Sequence, residues 1–210
     1  TPLPDHTPVA VIGGGYAGLS AALSLARLGH KVTVLDAERI GWGASSRNGG
    51  MVSGGLKVAR TALAEKLGAE QARNIAMAAA ASFPFIEETI AREGIECDYT
   101  RCGRFVAAWT PKHYDALARQ ADYIADVTGL PTEMLPPSRQ HEALGSSHYH
   151  GGMKAAATGS IHPGKYARGL AAAAERAGAS LVDYTRVAGI RADGSGFRIA
   201  TNRGELRADA

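Results

Sequence analysis

The stretch Val9-Ala10-Val11-Ile12-Gly13-Gly14-Gly15-Tyr16-Ala17-Gly18 decides the fold. Its first four residues form an apolar run too short for a helix and of strand composition. Glycines at 13, 15 and 18 then give the spacing G-x-G-x-x-G, and an alanine- and leucine-rich helical pattern follows over residues 16–28. Each glycine has a task in such a loop. Gly13 permits the tight turn from strand to helix, Gly15 lets a pyrophosphate approach the backbone, and Gly18 lets the helix pack closely on the strand. The free N–H groups and the dipole at the helix start hold the anion.

The context outward from this loop supports it. Gly29-His30 is a helix-stop signal, and residues 31–35 (Lys-Val-Thr-Val-Leu) read as a second strand. Asp36 ends that strand, eighteen residues beyond Gly18. A carboxylate there accepts both hydroxyls of an adenosine ribose, as NAD or FAD recognition requires, whereas a 2′-phosphate calls for arginine. Strand, helix and acid together read as a dinucleotide site.

Residues 41–55 form the second informative stretch, with six glycines in fifteen residues. A flexible linker carries serine and polar filler, but this loop interleaves Trp42, Arg47 and Asn48. Glycine lets backbone approach a flat ring, while Ser, Arg and Asn supply donors to phosphate or carbonyl oxygens. Trp42 is read either as a shield for a ring edge or as a packed loop side chain.

Composition sets wider bounds. The 210 residues are 45% hydrophobic and 20% charged, ordinary for a globular chain with a sizeable core. The net charge of +3 is scattered, with no basic run, so nucleic-acid binding has no support. No apolar run approaches the roughly 20 residues needed to cross a bilayer. Cys97 and Cys102 fit no C-x-x-C pattern and read most simply as reduced thiols of a cytoplasmic protein, a bridge between them being the alternative. The seven histidines form no ligand cluster, His148 and His150 coming nearest to one, and no metal is expected.

The remaining pattern is helical over residues 57–93, with Ile75, Ala79, Phe83, Ile86 and Ile90 on one face and a kink or break at Pro84. A strand over 104–109 precedes a helix opened by Thr110-Pro111 and stopped at Gly129. Residues 136–145 read as a short capped helix and 151–162 as strand, turn and strand. A helix from Pro163 through Gly178 leads into short strands over 180–183, 186–191, 196–201 and 205–208.

With both glycine stretches in hand, the chain resembles flavoproteins of the D-amino-acid oxidase superfamily, in the branch with glutamylputrescine oxidase-like enzymes and glycine and sarcosine oxidases. The matching residues are Gly13-x-Gly15-x-x-Gly18, Asp36, Gly43-Ala-Ser45-Ser46-Arg47-Asn48-Gly49-Gly50 and the run from Ser160-Ile-His162-Pro163 to Leu170. The resemblance implies an α/β fold: a Rossmann-like, glutathione-reductase-like FAD-binding domain with the start of an inserted α+β substrate domain. It divides the chain into a FAD-binding βαβ core, glycine loop and following helices over 1–100, part of the substrate domain over 101–160, and a truncated return to the FAD domain over 161–210. The chain is then expected to be an N-terminal fragment that does not itself turn over substrate.

Carried over position by position, the resemblance assigns Gly13, Gly15, Tyr16, Ala17 and Gly18 to the FAD pyrophosphate, and Asp36 with Ala37 to the adenosine ribose. Ser45, Ser46, Arg47, Asn48, Gly49 and Gly50 lie along the pyrophosphate, ribityl chain and isoalloxazine, and Val187 offers its backbone to the adenine. No histidine lies between Arg39 and Gly55, so the FAD is expected to be noncovalent. The implied reaction oxidises a C–N bond of an amine or amino acid by hydride transfer to flavin N5, with O₂ or another acceptor closing the cycle. No acid or base is required. His162 and Arg47 are the catalytic candidates, against a helix-capping role for His162 and a surface ion pair for Arg47. An NAD-dependent dehydrogenase and a noncatalytic FAD-binding module are the alternatives.

Overall fold

The computed structural model describes residues 1–55 and 60–210. In chain order these carry β1 (His6–Thr7), β2 (Val9–Ile12), α1 (Tyr16–Arg27), β3 (Val32–Leu35), a 3₁₀ turn at Ala44–Ser46, β4 (Met51–Ser53), α2 (Arg60–Leu67), α3 (Ala69–Glu93) and β5 (Arg104–Ala107). There follow α4 (Pro111–Thr128), β6 (Thr132–Leu135), a 3₁₀ segment at Pro137–Glu142, β7 (Gly152–Ala155), β8 (Thr158–Ser160), α5 (Pro163–Arg176), β9 (Ser180–Val182), β10 (Val187–Asp193), β11 (Gly196–Thr201) and β12 (Gly204–Ala208). They fall into two units, Thr1–Gly50 with Ile90–Asp98 and His162–Ala210, and Met51–Thr89 with Tyr99–Ile161.

The first unit is built around β3, which pairs in parallel with β2 on one side and β9 on the other. All four of its residues are buried, as an unbroken apolar run demands of a strand covered on both faces. The polar exception, Thr33, donates its hydroxyl to Thr7 Oγ1 at 3.0 Å. A second sheet, ordered β1-β12-β11-β10, shares with Leu35 and Val182 a core completed by Ile199, Leu206 and Ala208. Helix α1 lies against α5. Their buried residues include Ala22 and Ala26 on one helix and Ala167, Ala173 and Ala174 on the other, small side chains that allow close axial approach. Gly29 stops α1 at φ +86°.

In the second unit β7 lies between β5 and β6, antiparallel to both. Helix α4 covers this sheet, its Leu117 and Ala121 packing on Ala108 and Met153. The signals read for its ends hold: Thr110 Oγ1 accepts the His113 N–H at 3.1 Å, and Gly129 takes φ +66°. Residues 151–162 form strand, turn and strand, but the two strands do not pair with each other. β7 joins β5 and β6 while β8 pairs with β4, because the alternating pattern fixes strands but not their partners. Residues 137–142 wind as 3₁₀ rather than α-helix, and β1, β4 and β6 carry no apolar signal long enough to announce them.

The helical pattern of 57–93 resolves into α2 and α3, residues 57–59 lying outside the described ones. The interruption falls at Gly68, φ +83°, and α3 runs through Pro84. Proline has no N–H for the carbonyl four residues earlier, that of Ala80. Gly54 covers that carbonyl: a Cβ on Gly54 would lie 2.8 Å from both Ala80 O and Ala80 Cα. This glycine of the second loop therefore serves packing. No helix among the described residues is long and apolar enough to cross a membrane.

Candidate functional site: a glycine turn with a second loop seated on it

The turn from β2 to α1 forms as its glycines require. Gly13 stands at φ +99° and donates its N–H to Leu35 O at 2.8 Å, prolonging the β2–β3 ladder. A Cβ on Gly18 would sit 1.9 Å from Gly13 O, so the helix meets the strand at a distance closed to other residues. Gly15 caps α1 with no side-chain hydrogen bond and no acid in the first turn. The positive end of the helix carries no acid of its own, the neighbouring carboxylate of Asp36 being held on the Gly14 N–H just before it.

Asp36 is oriented by the backbone rather than left open. Its Oδ2 accepts the Gly14 N–H at 2.7 Å and its Oδ1 the Glu38 N–H at 2.9 Å, each oxygen retaining a lone pair for a further donor. The chain beyond it is zipped to the segment after β9. Asp36 N donates to Val182 O at 3.1 Å, Thr185 N to Asp36 O at 2.7 Å, Tyr184 N to Glu38 O at 2.9 Å and Ile40 N to Asp183 Oδ1 at 2.6 Å. This brings Ala37 and Val187 to the same end of the unit. Val187 opens β10 beside an irregularity in its pairing with β11 and packs on the Leu35 core. Asp183 and Thr185 carry no motif, and sequence reasoning missed both.

The second loop is fastened to the first turn at two points. Gly41 N donates to Gly14 O at 2.9 Å, and Tyr16 N donates to Ser45 Oγ at 3.0 Å. A Cβ on Gly15 would stand 3.0 Å from Ser45 Oγ, a tight contact. Asn48 organises the loop from within, its Nδ2 donating to the carbonyls of Ala44 at 3.0 Å and Ser45 at 3.3 Å and its Oδ1 accepting the Gly50 N–H at 2.8 Å. Ser46 and Gly49 lie between these anchors. The Arg47 guanidinium lies 3.6 Å over the ring of Trp42, a cation–π stack on a tryptophan 46% exposed.

His162 is the N-cap of α5, its Nδ1 accepting the Lys165 N–H at 3.3 Å while its own N–H donates to Cys97 O at 2.7 Å. Of its two readings, capping is the geometry observed. Behind the turn, Tyr16 and Tyr166 pack edge to face at 5.2 Å. Burial pushes the Tyr16 phenol above its ordinary value and that of Tyr166 up to about 12.

These residues fit FAD: a glycine turn closed to a side chain at Gly18, a helix start with no acid in its first turn, and a donor-rich loop bound to that start through Ser45. A parallel β-α-β unit with this turn and a second glycine loop seated on it defines a dinucleotide-binding protein. The chain belongs to the DAO family of FAD-dependent oxidoreductases, whose family model matches residues 8–210. The cofactor of this family is FAD, which decides against the nicotinamide alternative.

Relatives agree along nearly the whole chain. A probable oxidoreductase OrdL of Rhizobium meliloti is 35% identical over 206 residues, covering 96% of this chain and 47% of that protein. The gamma-glutamylputrescine oxidoreductase of Escherichia coli is 34% identical over 183 residues, covering 87% of this chain and 43% of that protein. The crystal structure of glycine oxidase from Geobacillus kaustophilus superposes with a TM-score of 0.80 at 30% identity, over 99% of this chain and 54% of that one. The chain thus spans about half the length of the curated relatives it matches.

Proposed function

We propose that this chain carries the FAD-binding half-site of an oxidoreductase that oxidises the C–N bond of an amine or amino acid. The observation supporting it most directly is the turn itself, where Gly18 stands against Gly13 O and the first turn of α1 carries no acid. When bound, FAD would supply the hydride acceptor for the substrate carbon that bears the nitrogen, and O₂ or another acceptor would take up the electrons.

The chain's residues would bind and orient. The amides of Gly15, Ala17 and Gly18, which lack intrahelical acceptors, face the pyrophosphate. Ser45, whose Oγ already accepts the Tyr16 N–H, keeps its own O–H for a phosphate oxygen. Asp36, fixed by two amides, offers its remaining lone pairs to the ribose hydroxyls. Residues 46–50 line the ribityl chain and isoalloxazine, the backbone of Val187 meets the adenine, and Arg47 with Trp42 closes the outer edge. No residue of this chain is assigned as a catalytic acid or base, and residues 101–160 contribute to a substrate domain. We place the enzyme in the cytoplasm, with Cys97 and Cys102 as thiols.

The test is a titration with FAD and, separately, NAD, following thermal stability, since a ligand of the native state must raise it. A rise with FAD alone is expected. A rise with NAD alone, or with neither, would overturn the proposal.

A further inference from the structure

Where α3 ends, the chain runs along α5 from Glu93 to Asp98, within the first unit. It is pinned there at both ends. Arg176 donates to Glu93 O at 3.0 Å, the His162 N–H donates to Cys97 O at 2.7 Å, and Lys165 Nζ donates to both carboxylate oxygens of Asp98 at 2.7 and 2.8 Å. Between these ends the buried Ile95 occupies the space left by Gly169, where a Cβ would lie 2.4 Å from Ile95 Cγ2. Residues 93–96 and the Lys165, Arg168, Gly169 and Arg176 positions of α5 together line a cavity of about 340 Å³. That volume is near the lower end of small-molecule sites, roughly 300–1,000 Å³.

The charges around this cavity are not all matched. Lys165 is paired with Asp98, Arg176 is bound to Glu93 O, and Glu93 is paired with Arg27. Arg168 and Glu96 have no hydrogen bond or ion pair with any described residue, nor with each other, although both line the cavity. We propose that the cavity binds a zwitterionic amino acid, its carboxylate on Arg168 and its ammonium on Glu96. The guanidinium has only donors, in a planar fork that a carboxylate accepts with two oxygens, whereas the Glu96 carboxylate has only acceptors for the three N–H groups of an ammonium. A simple anion would meet the negative charge of Glu96, and a simple cation would meet Arg168 beside Lys165. A ligand carrying both charges satisfies the two together. The site uses none of the residues assigned to FAD and stands independently of that reading.

The test is a titration of the full 210-residue chain, followed by NMR at the backbone amides, with glycine and the longer β-alanine as probes. At least one of them should shift the amides of residues 94–96 and 168–169 saturably in the millimolar range. Acetate and methylammonium, which carry one charge each, should bind about tenfold more weakly. Arg168→Gln and Glu96→Gln remove the charges from exposed side chains, so the rest of the spectrum should keep its wild-type pattern while affinity for the amino acid falls about tenfold in each. No shift at residues 94–96 and 168–169 with either probe would overturn the proposal, as would shifts confined to residues 13–18 and 41–50. Undiminished binding in either variant would overturn it too. Acetate bound as tightly as the better amino acid would make this an anion site and contradict the zwitterion assignment.

Discussion

The first glycine turn and the second glycine loop both depend on glycine but do not use it alike. In the first, the glycines are demanded by the protein's own packing. Gly13 sits in the left-handed region, and Gly18 leaves no room for a Cβ beside Gly13 O. In the second, Gly43 and Gly49 adopt ordinary backbone angles, and a Cβ on either would meet nothing within 4 Å. The loop's shape comes from Gly41 and Gly50, both in the left-handed region, and from side chains: Ser45 on Tyr16, Asn48 on its own backbone, Arg47 on Trp42. The teaching is that a glycine without a packing reason, in a loop held by polar side chains, reserves its space for something else.

The sharpest way to break this contrast is Gly18→Ala. Its Cβ is opposed by backbone, which cannot swing aside, so the variant should lose about 3 kcal/mol or more in denaturant unfolding, together with nucleotide binding. Full stability in this variant would contradict the packing account. Asp36→Ala comes next. It leaves the Gly14 and Glu38 amides without their acceptor and should cost about 2 kcal/mol, along with a loss of both ADP and FAD affinity in calorimetry.

A third, smaller effect appears in alkali. The phenols of Tyr166 and Tyr99 are pushed up to about 12, first by burial and, for Tyr99, then by the neighbouring Glu87. Each favours the neutral form in the folded state, so the associated stability is complete below the ordinary tyrosine value near 10. It falls as pH rises from there through about 12. Circular dichroism melts between pH 9 and 12 should show this decline, and Tyr166→Phe should flatten it. The smallest expected effect is the most diagnostic. Gly49→Ala should change the stability of the ligand-free protein by less than about 0.5 kcal/mol yet weaken FAD binding, and an unchanged FAD affinity would remove the second loop's glycines from the site.

What the sequence disclosed follows the same division. The β2–α1–β3 unit was legible because each signal was local: an aliphatic run, glycines at fixed spacing, and Asp36 at a strand end. The caps at Thr110 and Gly129 were legible for that reason too. Pairing partners were not, since β7 and β8 are adjacent in sequence yet belong to different sheets, and only long-range packing decides that. Pro84 misled because its freed carbonyl found a neighbour in Gly54, thirty residues earlier. In the site, the residue types were visible but not their mutual bonds. No spacing rule announces that Ser45 holds the Tyr16 amide, that Asp183 holds Ile40, or that His162 caps α5.

The central claim, that this turn and loop together hold FAD without a covalent link, is tested most directly by the absorbance spectrum of the purified protein before and after acid precipitation, with FAD added if the protein is colourless. The account predicts flavin bands that bind with the protein and pass into the supernatant on precipitation. Colour retained in the pellet would contradict the noncovalent assignment, and a protein that stays colourless after FAD is added and dialysed would contradict the claim as a whole.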